Sequence, residues 1–237
     1  MMKKTSQKTI HQITFMPRVF PVNCYFVEEE EGLTLIDTAL SFSVKGILAC
    51  AEALGKPITR IILTHAHDDH VGGLDGLKAS LPDVPVYISK RDARIMVGDL
   101  TLDPEEPQTA IKGGVSSKLR TRADVLLEEG DRVGSLLAIH TPGHTPGSMS
   151  FLDARNQHMI VGDAFQTRGG LAVSGKLQPL FPFPAFGTWD KILALESAKK
   201  ILKVEPSLLA VGHGKMIDNP NKELKTAIKK AEQVFSK

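Results

Sequence analysis

Six consecutive positions, His65-Ala66-His67-Asp68-Asp69-His70, hold three histidines and two aspartates. They follow the run Arg60-Ile61-Ile62-Leu63-Thr64 and lead into Val71-Gly72-Gly73. The apolar run reads as a buried strand, so the cluster lies where a strand emerges into a turn and a helix. Three imidazoles and a carboxylate converging at a rigid strand end are costly to desolvate unless something binds them. Neutral imidazole and carboxylate are the ligands that a divalent ion such as Zn²⁺ takes.

The rest of the chain suits an enzyme of one domain. Its 237 residues are 42% hydrophobic and 24% charged, enough for a sizeable core. A net charge of +2 argues for neither a nucleic-acid nor a membrane surface. The two cysteines, Cys24 and Cys50, form no CxxC pair and read as buried thiols in a reducing compartment. The start, Met1 to Gln7, is polar and carries no apolar signal region, and no stretch reaches transmembrane length. A cytoplasmic location is therefore expected.

Strand-like and helix-like patterns alternate. Strands are expected at 22–27, 33–37, 61–64, 84–88, 125–127, 136–140, 149–152, 158–161 and 208–211. Helices are expected at 41–54, 74–80, 189–204 and 221–235. The Lys-rich last helix reads as a solvated face. Two stretches break the alternation. One, at 99–114, carries Asp103-Pro104-Glu105-Glu106-Pro107 and Gly113-Gly114. The other, within 164–189, is rich in Gly and Pro and includes Phe181, Phe183 and Phe186. Either it packs a small core of its own, or it caps a substrate site with an apolar wall.

Three more ligand types stand at strand ends. His144 lies in Thr141-Pro142-Gly143-His144-Thr145-Pro146-Gly147, Asp163 in Ile160-Val161-Gly162-Asp163, and His213 in Ala210-Val211-Gly212-His213-Gly214. A Gly or Pro beside each lets the backbone turn sharply. A lone histidine near a turn is usually structural, but three strand-end ligands joined to the 65–70 cluster are not a chance set. His11, His140 and His158 match no motif and read as non-ligands. Asp68 is expected to face away, and Gly72 and Gly73 to let a helix pack close behind the cluster.

The pattern His65-x-His67-x-Asp69-His70, followed by His144, Asp163 and His213, resembles the full motif set of the metallo-β-lactamase superfamily, and Asp37 in Leu35-Ile36-Asp37-Thr38 matches its first motif. The resemblance runs from Val22 to Gly214. It implies an α/β fold, a four-layer αββα sandwich of two mixed sheets flanked by helices. It implies two divalent ions, Zn first with Fe or Mn as alternatives. His65, His67 and His144 would hold one, Asp69, His70 and His213 the other, and Asp163 would bridge them with a hydroxide. Asp69 would also act catalytically, passing a proton to the leaving group, and Asp37 would orient a ligand.

Departures from individual branches narrow the activity. A bridging Asp163 differs from the β-lactamases proper, and His67 from the flavodiiron oxygen reductases. The short stretch after His213 differs from the glyoxalase II enzymes, which add a helical domain, and no long nuclease domain is expected. Gln166 stands where N-acyl homoserine lactonases carry a Tyr, and its amide could donate to an oxyanion. The reading is a dinuclear hydrolase whose bridging hydroxide attacks an ester, thioester or lactone of a small, partly apolar molecule. A phosphodiesterase and a mononuclear iron oxygenase of the persulfide dioxygenase type are the alternatives. A homodimer stays open.

Overall fold

Two mixed β-sheets account for the alternating patterns. The structure, a computed structural model, describes residues 2–115 and 119–236, so Met1 of the polar start lies outside the described residues. The chain packs as two compact units, one of Met1–Gly98 with Gly114–Leu127, the other of Asp99–Gly113 with Glu128–Lys237.

The first unit is built on β1 (Met2–Gln7), β2 (Ile10–Phe15), β3 (Val22–Glu28) and β4 (Leu33–Ile36), an antiparallel meander. After the 3-10 turn Ser41–Ser43, α1 (Val44–Leu54) crosses over to β5 (Ile58–Ile62), which runs parallel to β4. Next come α2 (Asp68–Val71), α3 (Leu74–Ser80), β6 (Val86–Ser89), α4 (Lys90–Met96) and β7 (Val125–Leu127). The strands β5, β6 and β7 continue the sheet in parallel. Parallel pairing leaves β4 fully buried, which its Leu33, Leu35 and Ile36 suit. The histidine cluster follows the C-terminal end of β5, where open α/β sheets present their binding loops.

Close approach fixes α2 and α3. A Cβ on Gly73 would lie 2.4 Å from the Thr38 carbonyl oxygen, and one on Gly72 would lie 3.0 Å from that of Ala39. Thr38 in turn donates its backbone N–H and its hydroxyl to the His70 carbonyl oxygen at 2.7 and 2.9 Å. The expected packing role of both glycines is thus observed.

The second unit is built on β8 (Arg132–Val133), β9 (Leu136–His140), β10 (Met149–Asp153) and β11 (His158–Ile160), all antiparallel. A small hairpin, β12 (Phe165–Gln166) with β13 (Ala172–Val173), leads to α5 (Phe183–Gly187) and α6 (Lys191–Val204). Then β14 (Leu208–Ala210) joins parallel to β11, β15 (Ile217–Asp218) pairs antiparallel with β14, and α7 (Asn221–Phe235) ends the unit. Ala194, Ala198 and Ile201 of α6 and Leu224, Ala227 and Ala231 of α7 share one core cluster with Met159 and Leu209. Their spacing of three and four places them on one face of each helix.

The expected elements recur with shifted ends. The strand expected from 84 begins at Val86, because Pro85 has no N–H for the ladder. The strand read at 61–64 is centred earlier, at Ile58–Ile62. Sequence patterns carry no expectation of the N-terminal hairpin, α2, α4, α5, β8, β15 or the β12–β13 hairpin, and that hairpin with α5 puts regular structure into the stretch within 164–189. No regular element falls within 99–114. Both cysteines are buried and unbridged. No helix among the described residues is long and apolar enough to cross a membrane. Replacing Gly73 with Ala should destabilise the protein by roughly 1–3 kcal/mol, because the new methyl meets backbone that cannot yield. Urea unfolding of Gly73→Ala against the parent measures this.

Candidate metal centre

The first unit gathers His65, His67, Asp69 and His70. His65, His67 and His70 are buried and Asp69 is half-buried. The His65 ring meets the His67 ring edge-on at 4.8 Å and the His70 ring at 4.0 Å between centroids. Ligand-capable atoms of His65 and His67 lie within 4.8 Å of one another, as do those of His65 and His70, and of Asp69 and His70. His67 is the N-cap of α2, and Asp69 and His70, two and three residues later, lie in its first turn.

Asp37 decides where the protons of this group sit. Its Oδ2 lies 2.8 Å from His70 Nδ1 and accepts the Thr64 hydroxyl at 2.8 Å, while its Oδ1 accepts the Thr64 N–H at 2.8 Å. An ionised carboxylate only accepts, so His70 Nδ1 must carry the hydrogen. The Thr64 hydroxyl has spent its hydrogen on Asp37. It therefore accepts from His65 Nδ1, 3.0 Å away, and that nitrogen carries the second hydrogen. In both neutral rings Nε2 is then a lone pair, the form a metal ligand needs. Asp92 supports the same loop. Fully buried, it accepts the Ala66 N–H at 2.9 Å, and Ser89 caps α4 by accepting the Asp92 N–H at 3.0 Å.

The second unit gathers His144, Asp163 and His213, all buried. Asp163 Oδ2 lies 3.3 Å from His144 Nε2 and 3.0 Å from His213 Nε2. Here too hydroxyls set the tautomer. Thr188 donates to the Pro184 carbonyl oxygen at 2.6 Å, so it accepts from Ser174, 2.8 Å away. Ser174 therefore accepts from His144 Nδ1 at 3.0 Å, with Thr188 at 3.3 Å from the same nitrogen. A neutral His144 then turns a lone pair on Nε2 toward the Asp163 carboxylate. Two lone pairs facing at that distance repel unless a cation lies between them, so the donor set fits a divalent ion.

Other residues separate from the ligands. His11 bridges Ser6 Oγ at 2.8 Å and Glu28 Oε1 at 2.7 Å. The backbone of His140 is held by Glu129 and by Lys200, whose Nζ lies 2.9 Å from its carbonyl oxygen. Asp68 packs against Gly114, whose carbonyl accepts the Asp68 N–H at 2.9 Å. Gln166 is buried, and its amide nitrogen donates to the Phe181 carbonyl oxygen at 3.1 Å. That bond makes it a brace for the 181 region and uses one of the two amide hydrogens. Thr64, Asp92, Ser174 and Thr188 received no role from sequence reasoning. Only Asp92 had a local signal, the Ser89-x-x-Asp92 spacing of a helix start.

Asn tolerates the left-handed φ of 59° at position 37 but presents an N–H where an acceptor is required. Asp37→Asn should therefore weaken metal binding about 10–100-fold and, by leaving a buried donor unmatched, lower stability by about 1–3 kcal/mol. Chelator competition read alongside urea melts tests both halves.

Residues 17–213 match the family model described as the metallo-beta-lactamase superfamily. YobT of Bacillus subtilis (strain 168) is 54% identical over 232 residues, covering 98% of this chain and 100% of the relative. The probable metallo-hydrolase YflN of the same organism is 31% identical over 229 residues, covering 87% of this chain and 84% of YflN. The crystal structure of TTHA1623 in a di-iron-bound form is similar with a TM-score of 0.64 and 29% identity, covering 89% of this chain and 96% of that one. With mixed sheets, strand-end ligands and a family match across most of its length, the chain belongs to the metallo-β-lactamase superfamily, a superfamily of metallo-hydrolases.

Proposed function

We propose that the chain is a dinuclear metal-dependent hydrolase of carboxylic esters, thioesters or lactones with a small, partly apolar substrate. In this reading His65, His67 and His144 hold one ion and Asp69, His70 and His213 the other, with Asp163 shared. The observation that carries it is the position of Asp163 Oδ2, at 3.3 and 3.0 Å from Nε2 of His144 and His213. Two imidazoles assigned to different ions thus meet on one carboxylate oxygen, as a bridging ligand requires. When bound, a pair of divalent ions brings a shared water toward neutral pKa and polarises a carbonyl oxygen.

The chain's own residues do the rest. Asp37 through Thr64, and Thr188 through Ser174, hold the imidazoles in the ligating tautomer. Asp69, half-buried in the first turn of α2, would take up the proton released by the attacking water and pass it to the departing oxygen or sulfur. Zinc is the expected metal, and the di-iron form of TTHA1623 supports iron as the contender.

Two measurements test this. Elemental analysis of the purified protein should give two metals per chain, and Asp163→Ala should lose both the second metal and turnover. Two tightly held metals with a normal rate in that variant would falsify the scheme. A substrate panel should show turnover of esters, thioesters or lactones. Cleavage of bis-nitrophenyl phosphate alone would make it a phosphodiesterase. One iron per chain with oxygen uptake on thiol persulfides would make it an oxygenase.

A further inference from the structure

We propose that Phe183, backed by the buried ring of Phe181, is the wall that reads the apolar part of the substrate, and that Gln166 is the positioning residue that sets it. This rests on the hydrolase reading above and names the residues that would give it substrate selectivity.

The pair forms a continuous path from a ligand to solvent. The Phe181 ring is buried and lies 5.2 Å from the His213 ring, tilted by 50°. The Phe183 ring meets Phe181 edge-on at 5.3 Å and is 52% exposed. Beside it Leu180 is 79% exposed and Phe186 65% exposed. Three large apolar side chains left exposed within seven residues are unfavourable in water, and exposed apolar surface of that kind is what binding sites present.

This surface sits on a built loop. Phe181 N–H donates to the Gln178 carbonyl at 2.9 Å and Phe186 N–H to that of Pro182 at 3.2 Å. Gln178 Nε2 reaches the Gly170 carbonyl at 3.1 Å. The buried amide of Gln166, three residues after Asp163, holds the Phe181 carbonyl from beneath. Farther along the same segment Ser174 and Thr188 orient His144. One segment therefore approaches His213 through the Phe181 ring and His144 through hydroxyls, and carries the exposed Phe183 ring one aromatic contact away from His213. The chemistry that matches this face is an alkyl or aryl group next to the scissile carbonyl.

The test uses metal-loaded protein and two series. The first is binding of n-alkyl carboxylates from acetate to octanoate, by calorimetry. The second is hydrolysis of the corresponding p-nitrophenyl esters. Affinity and kcat/KM should rise about fourfold per methylene over the first several carbons. Phe183→Ala should flatten that slope to about twofold or less. Gln166→Met should raise KM for the octanoyl ester more than it lowers kcat, with the metal content measured in parallel. An unaltered slope in Phe183→Ala overturns the wall. So does a Phe183→Ala protein that changes only its sedimentation, which would make the patch a contact between two copies of the chain. Chain-length-dependent binding without ester cleavage would sink the reaction and leave the wall. Ester cleavage without chain-length dependence would do the reverse.

Discussion

Much of this protein rests on where a few hydrogens are held. The Asp37 carboxylate can only accept, and that one restriction passes through the Thr64 hydroxyl to two imidazoles. On the second unit the Pro184 carbonyl plays the same part, passing its restriction through Thr188 and Ser174 to His144. Both relays end on an obligate acceptor, so neither can reverse its polarity without leaving a buried group unmatched. The rings are thus prepared as ligands by the fold itself. A divalent ion would complete a polar arrangement that is otherwise one of facing lone pairs.

Backbone geometry delivers these side chains. Every ligand follows a strand, and helices behind the ligand loops come too close to admit a side chain. At Gly143, φ is 132° and a Cβ would fall 2.2 Å from the Ala194 backbone nitrogen. The start of α6 therefore sits directly on the turn that carries His144, and Asp190 N–H donates to the Gly143 carbonyl at 2.9 Å. Rotational freedom that a surface histidine would keep is removed on the second unit by packing as much as by hydrogen bonds.

The candidate ligands and most of the long elements stand out in the sequence because both obey short-range rules. The 65–70 cluster follows an apolar run, and His144, Asp163 and His213 each come after one with a Gly alongside. The helix at 74–80 matches its observed bounds, as does the one at 221–235, since their apolar spacing is regular. The supporting residues obey no such rule. Ser174 and Thr188 are 30 and 44 residues from His144 and lie in a segment without periodicity. Two-residue strands such as β8 and β12 are too short to have a period at all. Nor does composition reveal that Phe181 turns inward while Phe183 and Phe186 face water, because the three are chemically alike. The bracing bond of Gln166 escapes the sequence for a related reason: its partner is a backbone carbonyl, which no residue identity encodes.

The single tryptophan has a consequence of its own. Trp189 N–H donates to the His144 carbonyl at 3.0 Å, while its indole donates to the Thr109 carbonyl at 2.8 Å. One buried residue, through its backbone N–H on one side and its indole on the other, thus fastens the element-free stretch before residue 114 to the turn that carries His144. Loosening of that stretch would wet the indole and shift its emission to the red. The protein carries its own optical gauge for the seating of this loop, and no label need be added to read it.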